Sequence, residues 1–242
     1  MRSLRIVAIL GAFLISAPSF ASYDFGFADV SLNRLFWSDA TKAKATKSDF
    51  NYLEIEGGSQ FSWGEMYGFF DIENILKRDA NEVRTAAKGV IRYYLGKSQV
   101  SLYAHVYDFN AIGFSEQNRV IGLGYQFSIP QGWFKPFLGV HDVTQTFFNG
   151  LNGYMGGWVA GYGFKLFSED FLATDWHEIE FARQAAYAAG NGGKSVSQNG
   201  AAAVWWNAVP QITFGLQWRY AMDKLGTSRG LNAGIASVRY NF

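Results

Sequence analysis

Polar and apolar residues alternate along most of this chain, and no sustained apolar run follows helical spacing after the N-terminus. In VSLYAHVYD, Val100, Leu102, Ala104 and Val106 alternate with Ser101, Tyr103, His105 and Tyr107. In ITFGLQWRY, Ile212, Phe214, Leu216, Trp218 and Tyr220 stand against Thr213, Gly215, Gln217 and Arg219. Successive side chains of a strand point to opposite faces, so each segment reads as a strand with one greasy and one polar face. About a dozen such segments recur, near 28–37, 50–61, 65–76, 86–95, 99–109, 119–128, 133–147, 154–166, 173–185, 199–208, 211–222 and 231–242.

The connections also alternate. A long polar stretch (38–49, with KAKATK inside it) precedes the tight Ser62-Trp63-Gly64, and KRDANEVR precedes Gly96-Lys97-Ser98. Later, NGGKSVSQNG and DKLGTSRG take long positions and Val209-Pro210 a short one. Many apolar faces end in Trp, Tyr or Phe, as strands crossing a bilayer do at its two interfaces. Hydrocarbon offers no water to an unpaired backbone, so a β protein in a bilayer must close on itself. The predicted fold is all-β: a closed antiparallel transmembrane β-barrel of about 12 strands, with short periplasmic turns and longer external loops. Such a ring encloses a lumen wide enough for water and a small solute, provided side chains and loops do not fill it. Gly122, Gly124, Gly157, Gly161 and Gly163 would leave interior space if they face inward, or else mark sharp bends.

The chain's beginning sets the compartment. MRSLRIVAILGAFLISAPSFA has two arginines, an apolar run from Ile6 to Ile15, and small residues at Ser19 and Ala21. This reads as a signal peptide over 1–21, followed by an outer-membrane β-barrel over 22–242. Its removal leaves 19 basic against 20 acidic residues, a net charge of −1, which asks for no nucleic-acid partner. There is no cysteine, so packing and hydrogen bonds must supply the stability. Aromatic residues make up 18% of the chain, more than one soluble core usually hides. The final VRYNF sets Val238, Tyr240 and Phe242 on one face, a terminal strand of the kind barrel-assembly machinery reads.

Two neighbouring strands carry acids at every second position. In NYLEIEGG and EMYGFFDIENIL, outward Leu53, Ile55, Phe70 and Ile72 send Glu54, Glu56, Asp71 and Glu73 into the lumen. Lys88 and Arg92 follow on the next strand, so an acidic strip lies beside a basic one. Such charges either rigidify the wall as a network or narrow the pore and select its solute, and alternation leaves both open.

Tyr52-Leu53-Glu54-Ile55-Glu56, followed across a short turn by Tyr67-Gly68-Phe69-Phe70-Asp71, resembles two strands of the Tsx/OmpK family of nucleoside-specific outer-membrane channels. The ending Arg239-Tyr240-Asn241-Phe242 is similar too. The resemblance implies a 12-stranded barrel in a Gram-negative outer membrane, surrounded by lipid, and the chain is expected to act as a monomer. Nucleosides and deoxynucleosides would diffuse passively through its narrow, keyhole-like lumen. On the matched strands it implies Glu54, Glu56, Asp71 and Glu73 as polar contacts and Tyr52 and Tyr67 as stacking groups. Tyr103, Tyr107, Arg92 and Arg219 join the candidate set from alternation alone. No metal or organic cofactor is called for. The loops are shorter than the resemblance leads one to expect, and loops shape the external mouth.

Rival readings are a general small-solute porin and a plugged barrel serving phage or colicin as a surface receptor through KAKATK and NGGKSVSQNG. An outer-membrane hydrolase would need a Ser/His pair on the lipid side. None of His105, His141 and His177 sits in a hydrolase motif, so no enzyme is expected.

Overall fold

A computed structural model describes residues 22–242; the signal peptide expected over 1–21 lies outside the described residues. The strands are β1 (Tyr23–Trp37), β2 (Phe50–Phe61), β3 (Gly64–Glu73), β4 (Arg84–Tyr94), β5 (Val100–Ala111), β6 (Phe114–Tyr125), β7 (Phe127–Ile129), β8 (Gly132–Gln145), β9 (Phe148–Leu166), β10 (Glu169–Phe181), β11 (Ser197–Val209), β12 (Ile212–Met222) and β13 (Leu231–Asn241). Each long strand pairs antiparallel with its neighbours, β1 pairs with β13, and β6 pairs with β8, so twelve strands close a ring. Three-residue β7 does not enter the ring closure. It pairs with β8 alone, continuing the β6 register from Gly124↔Phe137 to Phe127↔Phe134.

The expected segments all overlap ring strands, with differences at their ends. β1 begins at Tyr23 and β9 at Phe148, earlier than alternation suggests. In β9 the Asn149-Gly150…Asn152-Gly153 stretch hides the pattern, and the ladder to β8 slips between Val140 and Asp142. β10 stops at Phe181 because Ala182 turns the chain at φ 53°. The rhythm of short and long connections also needs correction. At the external end Ile112-Gly113 and Thr146-Phe147 are two-residue turns, while 38–49, 74–83, 182–196 and 223–230 are long.

The outward face is what a bilayer requires. Ile121 is 72% exposed and Leu216 71%, values a water-soluble protein would not repeat around its whole circumference. Near the turn-rich end, rings on adjacent strands join into a girdle: Tyr23–Phe61–Trp63–Tyr93 in sequence of contact, then Tyr125–Phe127–Phe134–Trp158. Phe164–Phe171, Trp206–Phe214 and Tyr240–Phe242 continue it. Tyr and Trp prefer this depth because their rings are apolar and their tips are wet.

The lumen is not uniformly polar. On the β5–β9 side, Tyr103, Val120, Phe137 and Met155 form a buried cluster inside the ring. At the external end of β1, β2, β12 and β13, a second cluster joins Leu35, Trp37, Phe50, Tyr52, Leu231 and Ile235. Ala45 and Leu225 of the external loops pack against this second cluster. Helix α1 (Asp39–Lys44) is capped by Ser38, whose Oγ accepts the Thr41 amide, and buried Thr41 donates to the Asn232 carbonyl. Helix α2 (Ala185–Gly190) sends Tyr187, 1% exposed, against His141 and Phe148.

Candidate solute pathway through the lumen

β2 and β3 pair in register Tyr52↔Glu73, Glu54↔Asp71 and Glu56↔Phe69, so period two lines their acids along one wall. Leu53, Ile55, Phe70 and Ile72 point outward, as their spacing requires. The four acids have different surroundings. Glu56 accepts the Tyr67 hydroxyl at 2.6 Å and Arg239 Nη2 at 2.7 Å. Glu73 pairs with Arg84 at 2.7 Å. Glu54 and Asp71 have no basic partner: among the described residues neither carboxylate lies within 4.0 Å of a basic group, Glu54 accepts only the Ser31 hydroxyl at 3.4 Å, and Asp71 Oδ1 is buried without a hydrogen bond.

The facing wall supplies the complementary charge. Arg219 on β12 stacks its guanidinium over Trp176 of β10, 5.5 Å from the ring centroid. Among the described residues no carboxylate comes within 4.0 Å of Arg219. An unpaired carboxyl pair and an unpaired guanidinium thus border the same lumen, with Trp176 as a flat backing. Nearer the periplasmic end, Glu65 of β3 binds Lys135 of β8 across the ring and Arg92 of β4 beside it.

The candidate residues divide by accessibility. Glu54, Glu56, Asp71, Glu73, Tyr67 and Tyr107 line the lumen at intermediate exposure. Arg92, Tyr103 and Tyr52 also face inward, yet they are 2%, 3% and 7% exposed. Arg92 donates to the Lys135 and Pro136 carbonyls and covers the Tyr103 ring at 4.7 Å. Tyr103 stacks on Phe137 at 4.3 Å, and Tyr52 packs in the external apolar cluster. Neighbours already occupy the faces of these three.

The glycines follow the same logic. Gly124 gives its space to the Arg92 guanidinium and Gly161 to the Trp133 ring, while Gly122 lies against the β8 backbone. They admit bulky side chains and close strands instead of widening the pore.

The described geometry is that of a closed barrel with polar and charged side chains on its inward face. Residues 32–242 match the family model described as the nucleoside-specific channel-forming protein, Tsx. The chain belongs to the Tsx family. In fold it is similar to the NanC porin, with TM-score 0.55 at 10% identity over 88% of this chain and all of that one. The outer membrane channel DcaP of Acinetobacter baumannii aligns over 94% of this chain and 99% of its own, at 10% identity and TM-score 0.42. This member of the Tsx family is therefore an outer-membrane channel of porin-like architecture.

Several lumen groups of this Tsx-family barrel escaped the sequence reading. Trp176, Glu178 and Glu180 share one face of β10, a signal present in DWHEIE but masked by the more conspicuous histidine between them. The histidines themselves are held by neighbours of low reactivity. His105 bonds Tyr103, His141 bonds Asn118, and lipid-side His177 bonds the Tyr220 hydroxyl at 2.6 Å while stacking on Trp158. Among the described residues no Ser or Thr hydroxyl bonds any of them.

Proposed function

We propose that this channel passes nucleosides and deoxynucleosides by passive diffusion across the outer membrane of a Gram-negative bacterium. The observation that carries this reading is the Glu54–Asp71 pair facing Arg219 on Trp176, a site with unused polar groups beside an aromatic plane. A nucleobase offers a flat face to Tyr67, to Tyr107 or to the Arg219 guanidinium plane that Trp176 backs, worth roughly 1–3 kcal/mol per stacked base. Its ribose hydroxyls are donors for Glu54 and Asp71, and Arg219 can donate to base carbonyls. Several weak contacts in series suit conduction better than one tight site. The protein works as a monomer, without a cofactor and without catalysing a reaction, and the assembly machinery inserts it by reading the strand that ends at Phe242.

Liposome swelling tests this proposal. Purified protein should admit nucleosides faster than sugars of similar size, and Glu54→Gln with Asp71→Asn should remove most of the difference. Equal entry of all small solutes would leave a general porin. No entry would favour a plugged barrel used as a surface receptor.

A further inference from the structure

Lys88 on β4 and Glu178 on β10 belong to nearly opposite walls, five strands apart one way around the ring and seven the other. Nevertheless Lys88 Nζ lies 2.5 Å from Glu178 Oε1, and their side chains are only 17% and 12% exposed. The pair is a strut across the lumen.

Register explains why each reaches so far. Lys88 sits opposite Phe69 on β3 and Tyr107 on β5, neither of them an acid. Glu178 sits opposite Gly157 on β9 and Asn199 on β11, neither of them a base. Neither charge has a directly paired counter-charge on an adjacent strand, so the opposite wall supplies it.

The strut divides unequal spaces. On its β5–β9 side the ring is filled by Tyr103, His105, Val120, Phe137, His141 and Met155, none more than 7% exposed. On its other side lie Glu54, Asp71, Arg219 and Trp176, and the Trp176 ring backs Lys88 Nζ at 5.9 Å. The second space keeps half-exposed polar groups, and its edge is the ion pair.

We propose that the Lys88–Glu178 pair is the size-determining bar of the channel. It fixes the largest solute that passes, separately from the groups that bind one. The inference uses only the passage of small solutes, so it stands or falls apart from nucleoside preference.

Single-channel conductance in KCl, with polyethylene glycols of graded size as pore probes, tests it. Lys88→Ala with Glu178→Ala should raise conductance at least twofold and admit a larger glycol. Lys88→Arg keeps the charge and reach of the bar and should keep both values near wild type. Heat-modifiable migration on a gel checks that each barrel has closed. An unchanged glycol cut-off in the closed double-alanine variant overturns the proposal, as does a Lys88→Arg variant that opens equally wide. Should the double-alanine barrel not close, Glu178→Ser poses the same question, because the shortened side chain no longer reaches Lys88. An unchanged cut-off there overturns the bar too. A wild type without current that the double variant opens supports it, and no current from either counts against it.

Discussion

Gly124 and Arg92 share one volume: a Cβ at position 124 would fall on the guanidinium that donates to the Lys135 and Pro136 carbonyls. The contact falls where the β6–β8 ladder has a gap, between Gly124↔Phe137 and Phe127↔Phe134. Pro136, which has no N–H to give a ladder, occupies that gap. Gly124→Leu should expel Arg92 and leave a buried charge without its acceptors, a loss of about 3–5 kcal/mol. Urea unfolding of the refolded barrel would measure it, and a midpoint equal to wild type would refute the shared volume.

The β9–β10 turn should be improvable. Phe167 and Ser168 both have left-handed backbones, with φ 52° and 69°, and Phe167 is 90% exposed. Asn-Gly adopts these angles far more readily, so Phe167→Asn with Ser168→Gly should stabilise the barrel by about 1 kcal/mol. A rise in unfolding midpoint with unchanged conductance is the expected result.

Arg219 should set ion preference. Its guanidinium is an unpaired positive charge, among the described residues, facing the acidic wall, so Arg219→Gln leaves Glu54 and Asp71 dominant at that level. The reversal potential in a KCl gradient should move toward cation selectivity. No movement would mean that Arg219 lies off the ion path.

Lys224 should pin the external loops. It lies in the 223–230 connection, 2.6 Å from Glu180, which also meets Arg183 of the neighbouring loop at 3.0 Å. Burial pulls the Lys224 ammonium down, but the Glu180 and Glu178 carboxylates outweigh it and hold its pKa above the usual 10.5. A raised lysine pKa stabilises fully below the unfolded value and loses its contribution only as pH rises through the folded one. Loop protection in hydrogen exchange should therefore persist through pH 10 and fall above the ordinary lysine range, and Lys224→Met should lower it at neutral pH.

Period two gave the strand count, the lipid-facing rows and the inward direction of Glu54, Glu56, Asp71, Glu73, Lys88, Arg92 and Arg219, because strand side chains alternate regardless of what lies beyond. Local residues alone could not give the Lys88–Glu178 strut: position 178 lies ninety residues beyond 88, and only ring closure and register set them face to face. Nor could they tell an inward side chain left half-exposed from one already covered. Arg92, Tyr103 and Tyr52 read no differently from Tyr67 and Tyr107 by alternation. What separates them is how much of each face neighbouring strands and loops occupy, such as Phe137 on Tyr103 and Pro136 above Arg92. The sequence by itself determined the wall and which way each residue points. The tertiary structure decided which part of the interior is filled and which charges remain unpaired, because packing across a closed ring depends on residues far apart in the chain.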